Sequence, residues 1–148
     1  MERIYSKLIA DHFADNRQMV FLSGPRQVGK TTLAHGALPD AAYFNYDRTQ
    51  DALAISSGAE RIAAIADLPN PVKASHCILF DELHKFPKWK KFLKGFFDAY
   101  ADNRKLKVVV TGSARMDVYK RGGDSMMGRY FAYRVHPFTI GERGGTDQ

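Results

Sequence analysis

Gly24-Pro25-Arg26-Gln27-Val28-Gly29-Lys30-Thr31 sits between the runs Gln18-Met19-Val20-Phe21-Leu22-Ser23 and Thr32-Leu33-Ala34-His35. The octet reads G-x-x-x-x-G-K-T, a phosphate-binding loop, and that pattern carries weight only between a strand and a helix. Both flanks supply this setting. The preceding run is apolar and β-prone, as a buried parallel strand should be, and the following one can continue as a helix. Gly24 and Gly29 let the backbone wind so that successive N–H groups face phosphate oxygens, and a helix N-terminus adds partial positive charge. Lys30 would reach the β- and γ-phosphates, and Thr31 would give its hydroxyl to Mg²⁺. The expected nucleotide-binding stretch is therefore Gly24, Pro25, Arg26, Gln27, Val28, Gly29, Lys30, Thr31 and Thr32, with Arg26 read as solvent-directed. A plain glycine-rich turn before an ordinary helix would not need the Gly-Lys-Thr end between these flanks.

Working outward, the 148 residues make one domain, long enough for a sizeable core. One cysteine, Cys77, excludes an internal disulfide framework and fits a reducing, cytoplasmic setting. No apolar run approaches the roughly 18 residues of a transmembrane helix. Glu2, Arg3, Lys7 and Asp11 interrupt what a signal peptide would keep apolar. A formal charge of +6 permits contact with DNA or another anionic partner, but a nucleotide cleft is itself an anion site, so charge alone decides nothing.

Periodicity then divides the chain. Ile4, Tyr5, Leu8, Ile9, His12 and Phe13 share one helical face, so a leading helix is expected over residues 3–14. Gly36 and Pro39 are expected to stop the helix after the loop. Ala42 to Tyr46 reads as a short strand ending at Asp47. Residues 49–68 read as helical, with a break at Ser56-Ser57-Gly58. Pro69-Asn70-Pro71 marks a loop. Cys77-Ile78-Leu79-Phe80-Asp81-Glu82 is an apolar strand ending in two carboxylates. After Pro87, Trp89, Phe92, Leu93, Phe96, Phe97 and Tyr100 make a wide apolar helical stripe opposite Lys90, Lys91 and Lys94. Leu106 to Thr111 is a further strand closed by Gly112-Ser113, and Arg129 to Val135 a last one. Arg115 to Gly128 reads as a loop, and residues 141–148 carry no usable pattern. Strands alternating with helices imply a parallel sheet covered on both faces, with ligands beyond the carboxyl ends of its strands.

Phe80-Asp81-Glu82 at the end of an apolar strand is a Walker B signature. Asp81 would hold the Mg²⁺ shell beside Thr31, and Glu82 would polarise the attacking water. Ser113 ends a strand that would lie between the two motif strands, where a hydroxyl can meet the γ-phosphate or the lytic water. An ordinary Ser-Gly turn explains the same residues. Asp47 ends its strand toward the site, yet a helix N-cap is the simpler reading. His84 could contact Glu82, although a loop histidine without a role reads more simply. The other histidines lack metal-ligand spacing, so no zinc site is expected. Lys85, Lys88, Lys90, Lys91 and Lys94 read as a solvated face.

Taken together, the Gly-Pro-Arg-Gln-Val-Gly-Lys-Thr-Thr loop, Leu79-Phe80-Asp81-Glu82-Leu83-His84-Lys85 with Trp89, Val110-Thr111-Gly112-Ser113-Ala114-Arg115, and Gly128-Arg129 leading to His136-Pro137-Phe138 resemble a prokaryotic AAA+-type P-loop ATPase family. The resemblance runs from about Ile4 to Glu142. It implies a three-layer α/β fold with a five-stranded parallel sheet in the order 5-1-4-3-2, ATP as ligand, and a sensor role for Ser113. It also offers Arg129, in the Gly-Arg pair, as an arginine finger, with Arg115 next; a surface arginine paired with a carboxylate is the alternative for each. Longer members continue into a lid-like segment and a nuclease-like C-terminal domain. Residues 1–140 would form the ATPase core, with 141–148 a short tail lacking both.

The expectation is an Mg²⁺-dependent ATPase core whose cycle moves a partner or a C-terminal domain, as a monomer or an oligomer. A nucleotide-dependent switch with little turnover and a nucleic-acid-binding module are the alternatives. A nucleotide kinase shares the loop, but the Asp-Glu strand end and Thr-Gly-Ser suit the AAA+-type group better.

Overall fold

The three most apolar strand runs of the chain, around Phe21, Leu79 and Val109, become the middle of its sheet. The computed structural model describes residues 2–24, 30–68, 76–100, 106–112 and 128–135. Its elements are α1 (Glu2–Asp15), β1 (Met19–Ser23), α2 (Lys30–Ala37), β2 (Ala42–Asn45), α3 (Thr49–Ser56), α4 (Ala59–Ile65), β3 (His76–Asp81), a 3₁₀ turn (Leu83–Lys85), α5 (Trp89–Tyr100), β4 (Leu106–Gly112) and β5 (Tyr130–Arg134). The sheet runs β2-β3-β4-β1-β5 with every neighbouring pair parallel. This is the expected 5-1-4-3-2 order read from the other edge. β1 is buried at all its positions, whereas the edge strand β2 is half-buried but for Phe44 and the edge strand β5 mixes half-buried and exposed residues. Strands flanked on both sides and covered on both faces need continuous apolar sequence, and edges do not.

The period-two alternation of the central strands splits their side chains between two cores. Met19, Phe21, Ile78, Phe80, Val108 and Val110 point to one face. There they meet Ile55 of α3, Ile62 of α4, and Trp89, Leu93 and Phe96 of α5. Val20, Leu22, Leu79 and Val109 point to the other, against Ile9 of α1 and Leu33 and Ala34 of α2. Each such fully buried side chain contributes about 1.5–3 kcal/mol relative to exposure, so the two cores carry most of the favourable folding energy. Phe80 shows how the first face is knit: its ring meets Phe44 stacked at 5.6 Å, and Phe92 and Phe96 edge-on at 5.5 and 6.0 Å.

Two local expectations change. α2 continues through Gly36 to Ala37. Gly36 is exposed and merely weakens the helix, so the stop falls to Pro39, which disfavours helical backbone at the residue before it. The third strand ends at Asp81 instead of Glu82, because Glu82 turns into the left-handed region at φ 59°. Among the described residues no helix is long and apolar enough to cross a membrane.

Candidate functional site

Asp81 is only 4% exposed, and three hydroxyls from three different elements converge on its carboxylate. Thr31 Oγ1, on α2, donates to Oδ2 at 2.9 Å. Tyr43 OH, on β2, donates to the same oxygen at 2.6 Å. Thr111 Oγ1, on β4, donates to Oδ1. Strand alternation explains the gathering. Asp81 lies two residues beyond Leu79 and Thr111 two beyond Val109, which puts both on the face that α2 covers. A buried carboxylate is costly unless hydrogen-bonded, and bonds to an ionised acceptor are the strong kind. Burial first, and then the Asp81 carboxylate it donates to, push the Tyr43 phenol up to about 12. Tyr43 therefore stays a donor at ordinary pH.

Lys30 is also buried, and its Nζ donates to the Gly24 carbonyl at 2.8 Å. Gly24 has a reason to be glycine that is independent of any ligand. Its φ is +150°, and a Cβ there would lie 2.5 Å from the carbonyl oxygen of Val135. The chain leaving β5 is held that close by the bond from Val135 N–H to the Ser23 carbonyl, 2.8 Å. Thr32 is an exposed residue of α2.

Glu82 faces a cation. Lys85 Nζ lies 3.1 Å from its Oε1, and His84 Nε2 lies 3.9 Å from the same atom. Lys85 also donates to both oxygens of Asp47, at 2.9 and 3.0 Å. The bonds to Asp47 and then to Glu82 raise the Lys85 pKa above its ordinary value. Asp47 therefore does not cap α3, as the simpler reading held. The N-cap is Arg48, whose guanidinium has no acceptor to offer the first helical N–H groups, and the Asp47 carboxylate is turned to Lys85.

Arg129 lies at the other end of the sheet. Its carbonyl accepts from Met19 N–H at 2.9 Å, level with the starts of β1 and β5. The length of β1, on the order of 13 Å at ~3.3 Å per residue step, separates that level from the site. Its guanidinium grips Asp98 of α5 with two bonds, Nε to Oδ1 at 2.8 Å and Nη2 to Oδ2 at 3.0 Å. Arg129 and the Lys30–Asp81 group are thus not brought together within one chain. Pro25, Arg26, Gln27, Val28, Gly29, Ser113, Arg115, the His136-Pro137-Phe138 run and residues 141–148 lie outside the described residues. Tyr43 and Thr111 are the participants that sequence reasoning missed as ligands of Asp81. For Thr111 a signal existed, its position at a strand end beside the Walker B strand; for Tyr43 the sequence offers none.

The Thr31 hydroxyl and the Asp81 carboxylate, 2.9 Å apart, form a pair of hard oxygen donors. Mg²⁺ is held by one or two protein oxygens plus substrate phosphates and waters, and this set fits it.

Residues 16–143 match the family model described as AAA domain. The chain belongs to that family. It has the fold and family of an AAA+-type P-loop ATPase core, a nucleotide-binding, ATPase-like unit. A search of curated proteins finds no match. Among solved structures the chain is similar to Orc1 of Aeropyrum pernix in complex with DNA, with TM-score 0.64 and 14% identity over 93% of this chain and 44% of that one. It is also similar to a DNA replication initiation factor (0.59, 13% identity, 90% and 46% covered) and to PCH-2 of C. elegans (0.57, 16%, 90% and 41%). At such identities these likenesses bear on the fold. This AAA domain spans less than half the length of each of them.

Proposed function

We propose that this AAA domain is an Mg²⁺-dependent ATPase core, hydrolysing ATP to ADP and phosphate and using the cycle to move a partner or a further domain. The observation that carries the reading is the 2.9 Å hydrogen bond between Thr31 and Asp81, which joins two motifs 50 residues apart at the carboxyl ends of the strands. In this reading residues 24–32 hold the phosphates, with the Lys30 ammonium on the β- and γ-oxygens. Thr31 and Asp81 hold Mg²⁺, which neutralises charge developing on the transferred group. Glu82 orients the attacking water and takes its proton. Ser113 follows Gly112 at the end of β4 as the sensor of the γ-phosphate. An Arg129 finger, given its end of the sheet, would serve the site of a neighbouring copy.

One observation favours a second reading, a nucleotide-dependent switch with little turnover. Glu82 is ion-paired to Lys85 at 3.1 Å, so its carboxylate is held toward an ammonium instead of being left to meet a water. Steady-state ATP hydrolysis with Mg²⁺, measured beside Glu82→Gln and with nucleotide binding followed in parallel, separates the two. Turnover that disappears in Glu82→Gln while binding persists is the expected result. Turnover that survives the change removes Glu82 from its role, and binding without turnover in the unmodified chain selects the switch.

A further inference from the structure

Tyr43 belongs to none of the motifs, yet its phenol donates to Asp81 Oδ2 at 2.6 Å. We propose that Tyr43 is a positioning residue of the metal–nucleotide site, its phenol holding the Asp81 carboxylate from β2 so that Thr31 and Asp81 receive Mg²⁺ together. This rests on the reading of Thr31 and Asp81 as the metal pair.

The carboxylate has about four acceptor positions, and their use is unequal. Oδ2 takes Thr31 and Tyr43, and Oδ1 takes Thr111. Tyr43 and Thr111 come from β2 and β4, the strands on either side of β3, so one oxygen is held from each flank. That clamp sets the plane of the carboxylate by itself. Thr31, the one donor that comes from α2 beside Lys30, is left with its oxygen lone pairs for a cation. With Phe at 43, Oδ2 would keep only Thr31, and the carboxylate could turn about its Cβ–Cγ bond to follow it.

Tyr43 is itself fixed in direction. Asn45 Nδ2 donates to the phenol oxygen at 3.2 Å, which orients the phenol proton toward Asp81. Its ring lies 4.7 Å from the His35 ring of α2, and the Arg48 guanidinium sits 5.2 Å from its centroid. In β2–β3 register Tyr43 pairs with Leu79 and Asn45 with Asp81, so the phenol reaches diagonally forward to the strand end. Packing alone would be served by Phe at this half-buried edge position; the hydroxyl serves the carboxylate.

The test is the affinity of a slowly hydrolysed ATP analogue, measured with Mg²⁺ and with EDTA, for the unmodified chain and for Tyr43→Phe, Thr31→Ala and Lys30→Ala. The ratio of the two Kd values reports how strongly the site couples metal to nucleotide. Losing a residue that orients a metal ligand costs about 10–100-fold in metal affinity. Tyr43→Phe is expected to lower the ratio by a factor in that range, with its Kd in EDTA unchanged and its unliganded Tm lowered only by the loss of one hydrogen bond to a buried carboxylate. A Tyr43→Phe ratio equal to the unmodified chain's, with the Thr31→Ala ratio reduced, overturns the proposal and leaves the site reading standing. No Mg²⁺ dependence in the unmodified chain, or full binding by Lys30→Ala, overturns the site reading and the proposal with it. If Tyr43→Phe does not fold, Asn45→Ala carries the test: a reduced ratio supports the clamp, and an unchanged one overturns it.

Discussion

Asp81 and Asp98 are both strand- or helix-borne carboxylates with short hydrogen bonds, and they are opposite in what those bonds leave behind. Asp81 is buried at the carboxyl end of the sheet, and its three donors are neutral hydroxyls. Asp98 is exposed at the other end, gripped by both arms of the Arg129 guanidinium. Neutral donors stabilise a carboxylate while leaving its charge available to a cation, whereas a guanidinium consumes the charge. The first arrangement makes a ligand and the second a clip. Strand topology keeps the two apart: Arg129 precedes β5 at the amino end of the parallel sheet, and Asp81 ends β3 at the carboxyl end.

The contrast breaks most clearly at Asp81. Asp81→Ala is expected to abolish hydrolysis and to remove the Mg²⁺-dependent part of nucleotide affinity. It also strands hydroxyl donors in a buried place, at about 1–3 kcal/mol for each one that finds no new acceptor. Denaturant unfolding of the ligand-free chain, set beside ATPase and binding assays, checks both effects. A variant that retains Mg²⁺-dependent binding would deny Asp81 its ligand role.

Lys85→Ala sharpens the same rule at a middle case, since Glu82 carries a cation as Asp98 does but sits beside the site. Released from the ammonium, the Glu82 carboxylate can turn to a water, and on the ATPase reading turnover should rise. Ion pairs of such exposure are worth ~0.2–1 kcal/mol, so the gain is a factor of roughly 1.5–5 in kcat. A fall in kcat would instead make Lys85 part of the machinery.

The smallest effect belongs to Arg129→Ala. Nucleotide affinity should not change, and Tm should drop slightly near neutral pH. Its pH dependence has a definite sign. The bonds from Arg129 depress the Asp98 pKa below the ordinary 3.8. The clip's contribution is therefore full above that value and is lost as pH falls through the lower folded-state pKa. The Tm difference between the variant and the unmodified chain should close in strong acid; a gap that stays constant into acid would mean the drop comes from packing. A loss of hydrolysis restored by mixing with an active-site-dead chain would reveal Arg129 acting on a neighbour.

Much of this was legible in the linear chain. The Gly-x-x-x-x-Gly-Lys-Thr pattern and the Phe80-Asp81-Glu82 strand end are local patterns from which residue type and spacing propose a chemistry. The trio of buried runs around Phe21, Leu79 and Val109 announced a parallel sheet because only such a sheet needs strands that are apolar on both faces. Arg129 was readable in part. It precedes the last strand, and in a parallel sheet a residue that precedes a strand lies at the amino end, away from ligands. Asp47 was misread because a short acidic residue before a helix is a good N-cap by local rules, and those rules cannot weigh Lys85, 38 residues away.

The sequence by itself determined the architecture and supplied the proposed class of ligand, since both rest on short-range features: glycine spacing, a lysine and a threonine at a helix start, apolar period. Only the tertiary structure decided the company of Asp81. Tyr43 in Ala-Tyr-Phe-Asn reads as a β-prone aromatic, and nothing nearby marks its hydroxyl. Its role appears once β2–β3 register sets Asn45 against Asp81 and alternation turns Tyr43 to the α2 face. Hydrogen bonds between elements are set by register and by the facing of strands, and those are properties of the assembled sheet.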